Sequence, residues 1–244
     1  MKQLEIRSQN PWVRGRSPEP GNVKLLIATM NRGKILEFRG ILGNDGFQWD
    51  DLLSDAGLEE PEETGRTLRD NACLKAAYYA RLRRTYAVAD DSGLEVDALG
   101  GRPGVHSARW AEMHCEGRGD AANNALLLRQ LEGVRDEKRT ARFVCVLALA
   151  DADGRVVLTA RETVEGRVIR EARGSKGFGY DPLFLVAQLG RTAAELEAEE
   201  KHQVSHRGKA LRRLRGLMER VWGCGKATGA GGAGFALDAG AHVS

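Results

Sequence analysis

Between residues 23 and 222, short apolar runs alternate with apolar stripes at helical spacing. Residues 23–28, VKLLIA, predict a strand. Ile35, Phe38, Ile41 and Leu42 follow helical spacing, as do Leu68, Ala72, Ala76, Tyr79 and Leu82, so each set predicts an amphipathic helix. Residues 86–89, YAVA, predict a short buried strand ending on Asp90-Asp91-Ser92, after which Gly93 lets the chain turn away. Asp120 is placed to cap a helix that carries Leu127 and Leu131. Residues 141–150, ARFVCVLALA, are a near-continuous apolar run and predict a central strand. Residues 156–158 and 163–169 read as a hairpin or neighbouring strands, and 183–186 as another short strand. Thr192 and Glu195 form a T-x-x-E capping box. Ser205 caps a last helix on which Leu211, Leu214, Met218 and Val221 share one face. Hairpin-like and crossover connections coexist, so the expected class is α/β with a mixed sheet.

Composition narrows this picture. The flanks differ from the centre: residues 1–22 hold Pro11, Pro18, Pro20, Gly15 and Gly21 without a period, and residues 223–244 are Gly/Ala-rich. Both are expected to be flexible, leaving 23–222 as the folded domain. At 244 residues the chain is long enough for a real core, and 42% hydrophobic with 29% charged residues fits a soluble globular protein. A net charge of +3 is too small to imply a nucleic-acid partner, and no stretch approaches the ~20 apolar residues of a membrane helix. Cys73, Cys115, Cys145 and Cys224 form no C-x-x-C pair, which argues against a zinc site or a disulfide framework. They read as free thiols in a reducing cytoplasm.

Four segments carry candidate chemistry beside the acid pair. Asp90 and Asp91 are expensive to bury unless cations or donors are near, and with Ser92 they suit a magnesium or general-base site. Thr29-Met30-Asn31-Arg32-Gly33-Lys34 joins a strand to a helix, where free N–H groups and a lysine suit phosphate, although the Walker A pattern is absent. Glu62-Glu63-Thr64-Gly65 leads into Asn71 and Lys75, which lie four apart on one helix face. Gly174-Ser175-Lys176-Gly177-Phe178-Gly179-Tyr180-Asp181-Pro182 sets three glycines around two aromatics, which suits close approach to a flat ligand such as a nucleobase. Lys201, His206 and Arg207 gather donors at the start of the last helix.

Taken in order, these segments resemble the inosine triphosphate pyrophosphatase family. The patterns are T-x-N-x-x-K, E-T-G-x-T-L-x-D-N-A-x-x-K-A, A-D-D-S-G-L-x-V-D-x-L-G-G-x-P-G-x-x-S-A-R, G-F-G-Y-D-P-x-F and S-H-R-G-x-A-L. Leu68 and Asp70 stand where the family usually has Phe and Glu. The resemblance implies an elongated mixed sheet flanked by helices, two lobes with a nucleotide cleft between them, and a homodimer. It implies Mg²⁺-dependent hydrolysis of ITP, dITP and XTP to the monophosphate and pyrophosphate.

On that resemblance Asp91 matches the proton acceptor and a metal ligand. Glu63 matches a further metal-site acid, with Glu62 a substitute and Asp90 an assistant. Thr29, Asn31, Arg32, Gly33 and Lys34 match the triphosphate loop, Asn71 and Lys75 polar residues near the phosphates, and Ser92 a substrate contact. Phe178, Gly179, Tyr180 and Asp181 match the base loop, with Phe178 stacking, while Lys201, His206 and Arg207 read the 6-oxo edge. The sequence leaves two rivals. One is the same fold acting on a modified pyrimidine triphosphate. The other is a nucleotide or RNA binder using the basic last helix, against which the clustered acids argue.

Overall fold

Strand β3 (Tyr86–Val96) organises the molecule, because the ladders on its two edges run in opposite senses. The computed structural model describes residues 24–42, 47–53 and 58–222, so the expectations for the two flanks, for residue 23 and for Cys224 lie outside the described residues. β1 (Lys24–Ile27) and β2 (Gln48–Asp51) lie parallel on one side of β3, while β4 (Thr140–Ala150), β5 (Val156–Val168) and β6 (Phe184–Val186) continue antiparallel on the other. The order β2-β1-β3-β4-β5-β6 is the expected mixed sheet, with β4 central.

Alternation along β3 decides which helix covers which face. Ala87 and Ala89 point to the side packed by α2 (Leu68–Arg83), where Ala72, Ala76 and Tyr79 are buried. Val88 points to the side packed by α1 (Arg32–Leu42) and α6 (His206–Trp222), with Phe38, Leu211, Leu214 and Met218. Farther along that second face, Leu94 and Val96 meet α4 (Gly119–Gln130) through Leu127 and Leu131. The short helices α3 (Trp110–Met113) and α5 (Ala198–Val204) complete the α/β architecture. Thr67 and Asp70 close a capping box on α2, and the expected Thr192–Glu195 box caps a 3-10 turn at Ala193–Glu195. Ser205 Oγ accepts the Gly208 N–H at 3.0 Å, capping α6 as expected.

Several expectations fail for physical reasons. The strand of 86–89 does not end at the acids. It runs on to Val96 because Asp90 and Asp91 pair with Leu147 and Val146 of β4. Gly93 makes no turn; a Cβ there would lie 2.2 Å from the Gly104 carbonyl oxygen, so the glycine permits a close backbone approach. Residues 156–158 and 163–168 belong to the single strand β5, because Arg161 and Glu162 pair in register with β4, and the strand stops one residue short of Ile169. Leu82 and Val221 face solvent, and Trp222 takes the buried place at the end of α6. Asp120 does not cap α4, since Arg118 is the N-cap residue and its side chain makes no capping bond.

Candidate active site

The ladder between β1 and β3 stops at Val88. Beyond it β1 gives way to the Thr29–Lys34 turn, and the next stretch of β3 faces a cleft of about 320 Å³. Asp90 and Asp91 stand at this open edge and, being adjacent in a strand, point to opposite faces of the sheet. One sequence motif thus serves two environments.

On the α2 face, Asp91 is buried against Lys75, whose Nζ lies 2.9 Å from Oδ1, and Asn71, whose Nδ2 donates to Oδ2 at 3.3 Å. The spacing of Asn71 and Lys75 on α2 brings both to one carboxylate. Lys75 also donates to Glu63 Oε1 at 2.8 Å, so a single ammonium holds both acids. Asn71 Oδ1 accepts the Gly65 N–H at 2.8 Å and ties the 58–66 segment to the same place. Burial raises the Asp91 carboxyl above its ordinary value despite Lys75. Burial works against the Lys75 ammonium, but Asp91, Asp90 and Glu63 outweigh it and keep Lys75 charged.

On the α1/α6 face, Asp90 is 1% exposed and faces Lys34 Nζ at 3.0 Å and Arg207 Nη2 at 3.2 Å. Burial opposes its ionisation, but Lys34, Arg207 and Lys75 together hold the carboxyl well below the usual range. Arg207 also pairs with Glu37 and donates to Ser92 Oγ at 2.9 Å. Glu37, buried on α1, pairs further with Lys201 at 3.1 Å, and Lys201 with Asp181 at 2.7 Å. A continuous charged network therefore joins Lys34 near the start of α1 to Asp181 in the 174–182 loop. Glu37 was invisible as a site residue in the sequence because it reads as one more polar position on an amphipathic helix.

The remaining expected residues divide into those that line the cleft and those that do not. Thr29, Asn31 and Lys34 line it; Asn31 Oδ1 accepts the Lys34 N–H at 3.1 Å as a helix cap, and Thr29 Oγ1 accepts the Asn31 N–H at 3.2 Å. Arg32 is exposed and does not line the cleft, and Gly33 lies under the Phe178 ring, 3.2 Å from where its Cβ would be. Ser92, Phe178, Gly179, Tyr180, Asp181, Lys201, His206 and Arg207 also line the cleft. Phe178 is 36% exposed, with the Lys201 ammonium 5.1 Å from its ring centre, whereas Tyr180 is buried and its hydroxyl donates to the Ser107 carbonyl at 2.9 Å. His206 stacks on Phe143 at 4.9 Å, and burial beside Arg207 lowers its pKa to about 3, so the ring is neutral. Asn71 lies behind Asp91 rather than at the cleft wall.

The four acids proposed as metal ligands do not converge. Asp90 is turned to the other face and already paired, and Glu62 is exposed outside the cleft lining, which leaves Glu63 and Asp91. Those two fit Mg²⁺: both are hard oxygen donors at the cleft, and Mg²⁺ commonly takes one or two carboxylates with substrate phosphates and waters. Among the described residues no group of three or more His, Cys, Asp or Glu side chains is placed to hold a metal ion. Charge still points to a cation. Among the side chains that line the cleft, the acids Glu60, Glu63, Asp91, Asp120 and Asp181 outnumber Lys34, Lys75, Lys201 and Arg207, so a bound polyanion would need an accompanying cation.

The basic last helix is largely committed to the protein itself. Arg212 donates to the His202 and Gln203 carbonyls, Arg213 pairs with Glu162, and Arg215 with Glu219. Among the described residues no helix is long and apolar enough to cross a membrane, and Cys73, Cys115 and Cys145 are free.

Comparison with known proteins places this cleft among relatives. The model of the Ham1 family matches residues 25–217. A dITP/XTP pyrophosphatase of Exiguobacterium sibiricum is 48% identical over 201 residues, spanning 82% of this chain and 100% of the relative. One of Bacillus subtilis is 45% identical over 194 residues, spanning 80% and 96%. The solved structure of a HAM1 protein from Coxiella burnetii superposes with a TM-score of 0.73 at 36% identity, covering 81% of this chain and 99% of that one. A nucleoside-triphosphatase / dITP/XTP pyrophosphatase from Mycobacterium abscessus gives 0.63 at 44% identity, covering 79% and 98%.

Proposed function

The chain belongs to the Ham1 family, and from that premise we propose that it hydrolyses deaminated purine nucleoside triphosphates to the monophosphate and pyrophosphate. ITP, dITP and XTP are the proposed substrates and Mg²⁺ the cofactor. The observation that carries the reading is the pairing of Asp91 with Glu63 through Lys75 at the edge of a nucleotide-sized cleft. The relatives named dITP/XTP pyrophosphatase support the substrate class.

Asp91 accepts the proton of the attacking water. A carboxyl raised by burial is a better base than an ordinary aspartate, and Lys75 and Asn71 hold it in one orientation. The water attacks the α-phosphorus, and the bond to the bridging oxygen of the β-phosphate breaks as pyrophosphate leaves. Glu63 and Asp91 would hold Mg²⁺, which would supply charge neutralisation for the incoming triphosphate and the leaving pyrophosphate. Thr29, Asn31 and Lys34 present the start of α1 to the phosphate chain.

Phe178 offers its exposed ring for stacking on the base. An ammonium has three donors, and Lys201 spends two on Asp181 and Glu37, leaving one for a 6-oxo group. Adenine presents a donor at that position and would leave a repulsive contact, which explains selection against ATP. Arg207 is nearly saturated by Asp90, Glu37 and Ser92, so it supports the wall more than it reads the base. The same reading carries a homodimer and a cytoplasmic location; light scattering at twice the chain mass would support the first.

The test is pyrophosphate release from ITP, XTP, dITP, GTP and ATP, with and without Mg²⁺. Fast Mg²⁺-dependent release from the first three, with ATP and GTP nearly inert, is the expected result. Failure of a folded sample on ITP, dITP and XTP would overturn the proposal.

A further inference from the structure

Helix α4 begins without a side-chain cap of its own, yet its first turns are rich in polar side chains. These reach outward to other segments. Asp120 Oδ2 accepts the Gly179 N–H at 2.6 Å, and Asn124 Nδ2 donates to the Gly179 carbonyl at 3.0 Å. Being four apart, Asp120 and Asn124 lie on one helix face and grip both polar groups of one residue. Asn123 meanwhile accepts the Ala111 N–H at 2.8 Å and donates to the Ala108 carbonyl at 3.0 Å, fixing the facing wall. The Tyr180 hydroxyl on the Ser107 carbonyl joins the two walls again.

We infer that Asp120 and Asn124 are positioning residues for base recognition: by clamping Gly179 they hold Phe178 where the purine stacks. This rests on the reading of the cleft as a nucleotide site. Gly179 is left-handed at φ +64, a conformation that glycine reaches without steric cost but that takes more conformational freedom from it than from any other residue. Holding such a loop ready removes an ordering cost from binding. A role in stability alone explains the arrangement poorly. A carboxylate in the first turn gains from the helix dipole wherever it points, so nothing about helix stability requires Asp120 to reach Gly179. Asn124 Oδ1 is buried without a partner, a desolvation cost that an apolar side chain would avoid. Asp120 also lines the cleft beside Phe178 and Gly179.

The test compares the two halves of the product in the presence of Mg²⁺, using calorimetric titration of inosine monophosphate and of pyrophosphate. Losing one charge-assisted or buried hydrogen bond should weaken inosine monophosphate about tenfold in Asp120→Ala and in Asn124→Ala, with pyrophosphate changed by less than about twofold. Asp120→Asn keeps an acceptor for the Gly179 N–H and should recover most of the loss, which also guards against misfolding of the alanine variant. The KM for ITP should rise in parallel while kcat is largely held. Equal weakening of both ligands, unchanged inosine monophosphate binding, or Asp120→Asn no better than Asp120→Ala would overturn the inference. A wild-type protein that neither binds inosine monophosphate nor hydrolyses ITP would instead sink the functional reading on which it rests.

Discussion

The two faces of β3 give two neighbouring aspartates different work. Asp90 meets Lys34 and Arg207 and is held ionised far below the usual range. Asp91 shares one lysine with Glu63, and burial leaves its carboxyl raised. Two like groups driven apart in pKa by their surroundings mark a division of roles. The acid paired with two cations anchors a network from α1 to α6, and the one whose carboxyl is raised by burial is suited to take a proton. The lesson is that charge counts in a motif do not assign function; the face of the strand does.

The contrast can be broken most forcefully on the Asp90 side. Arg207→Ala leaves Asp90 and Glu37 buried without their guanidinium, and breaking such a pair costs about 3–5 kcal/mol. Urea denaturation should show that loss, and a variant as stable as wild type would mean the network holds nothing together. On the Asp91 side, Lys75→Met removes the cation that opposes the upward shift of Asp91. The acidic limb of the kcat/KM profile should then move up by about 1–3 pH units, the usual effect of a lost opposite charge. An unmoved limb would assign the base elsewhere.

His206 sharpens the comparison by pH. Its folded pKa of about 3 lies below its ordinary 6.5, so between these values the unfolded state binds a proton that the native state refuses. Stability from this group is full above pH 6.5 and falls as pH drops, by about 2 kcal/mol between pH 6.5 and 5 at about 1.4 kcal/mol per unit. His206→Phe should flatten that slope relative to wild type in paired denaturation curves. Equal slopes would show that the ring titrates normally. The smallest effect belongs to the surface: Arg213→Ala breaks an exposed pair with Glu162 and should cost no more than about 1 kcal/mol. A larger loss would make the α6 surface part of the core network.

Much of this was legible in the sequence. Apolar spacing located α1, α2 and α6 and the central β4, because those elements bury one face or both and the pattern records it. The acid pair misled, since two carboxylates in a strand look like its end. What keeps β3 going is pairing with Leu147 and Val146, which local pattern does not carry. β2 leaves no apolar signature, because QWDD is mostly polar and lies at the sheet edge, paired among the described residues with β1 alone. At the site, the spacing of Asn71 and Lys75 was legible, and so was the order of the motifs. Glu37 and Asn124 were not, because their partners lie far along the chain and come together only through the sheet. In the sequence Asp120 reads as a cap for its own helix, whereas in the fold it is an acceptor for Gly179.

The central claim is that Asp91 performs the chemistry and Asp90 the anchoring. It is tested most directly by measuring ITP turnover and melting temperature together for Asp91→Asn and Asp90→Asn. The account predicts that Asp91→Asn loses roughly 10²–10⁴ in kcat, the worth of a positioned base, with its melting temperature close to wild type. Asp90→Asn should instead lose several degrees of melting temperature, because Lys34 and Arg207 are left without their shared carboxylate. An Asp91→Asn protein turning over ITP at the wild-type rate would contradict the account.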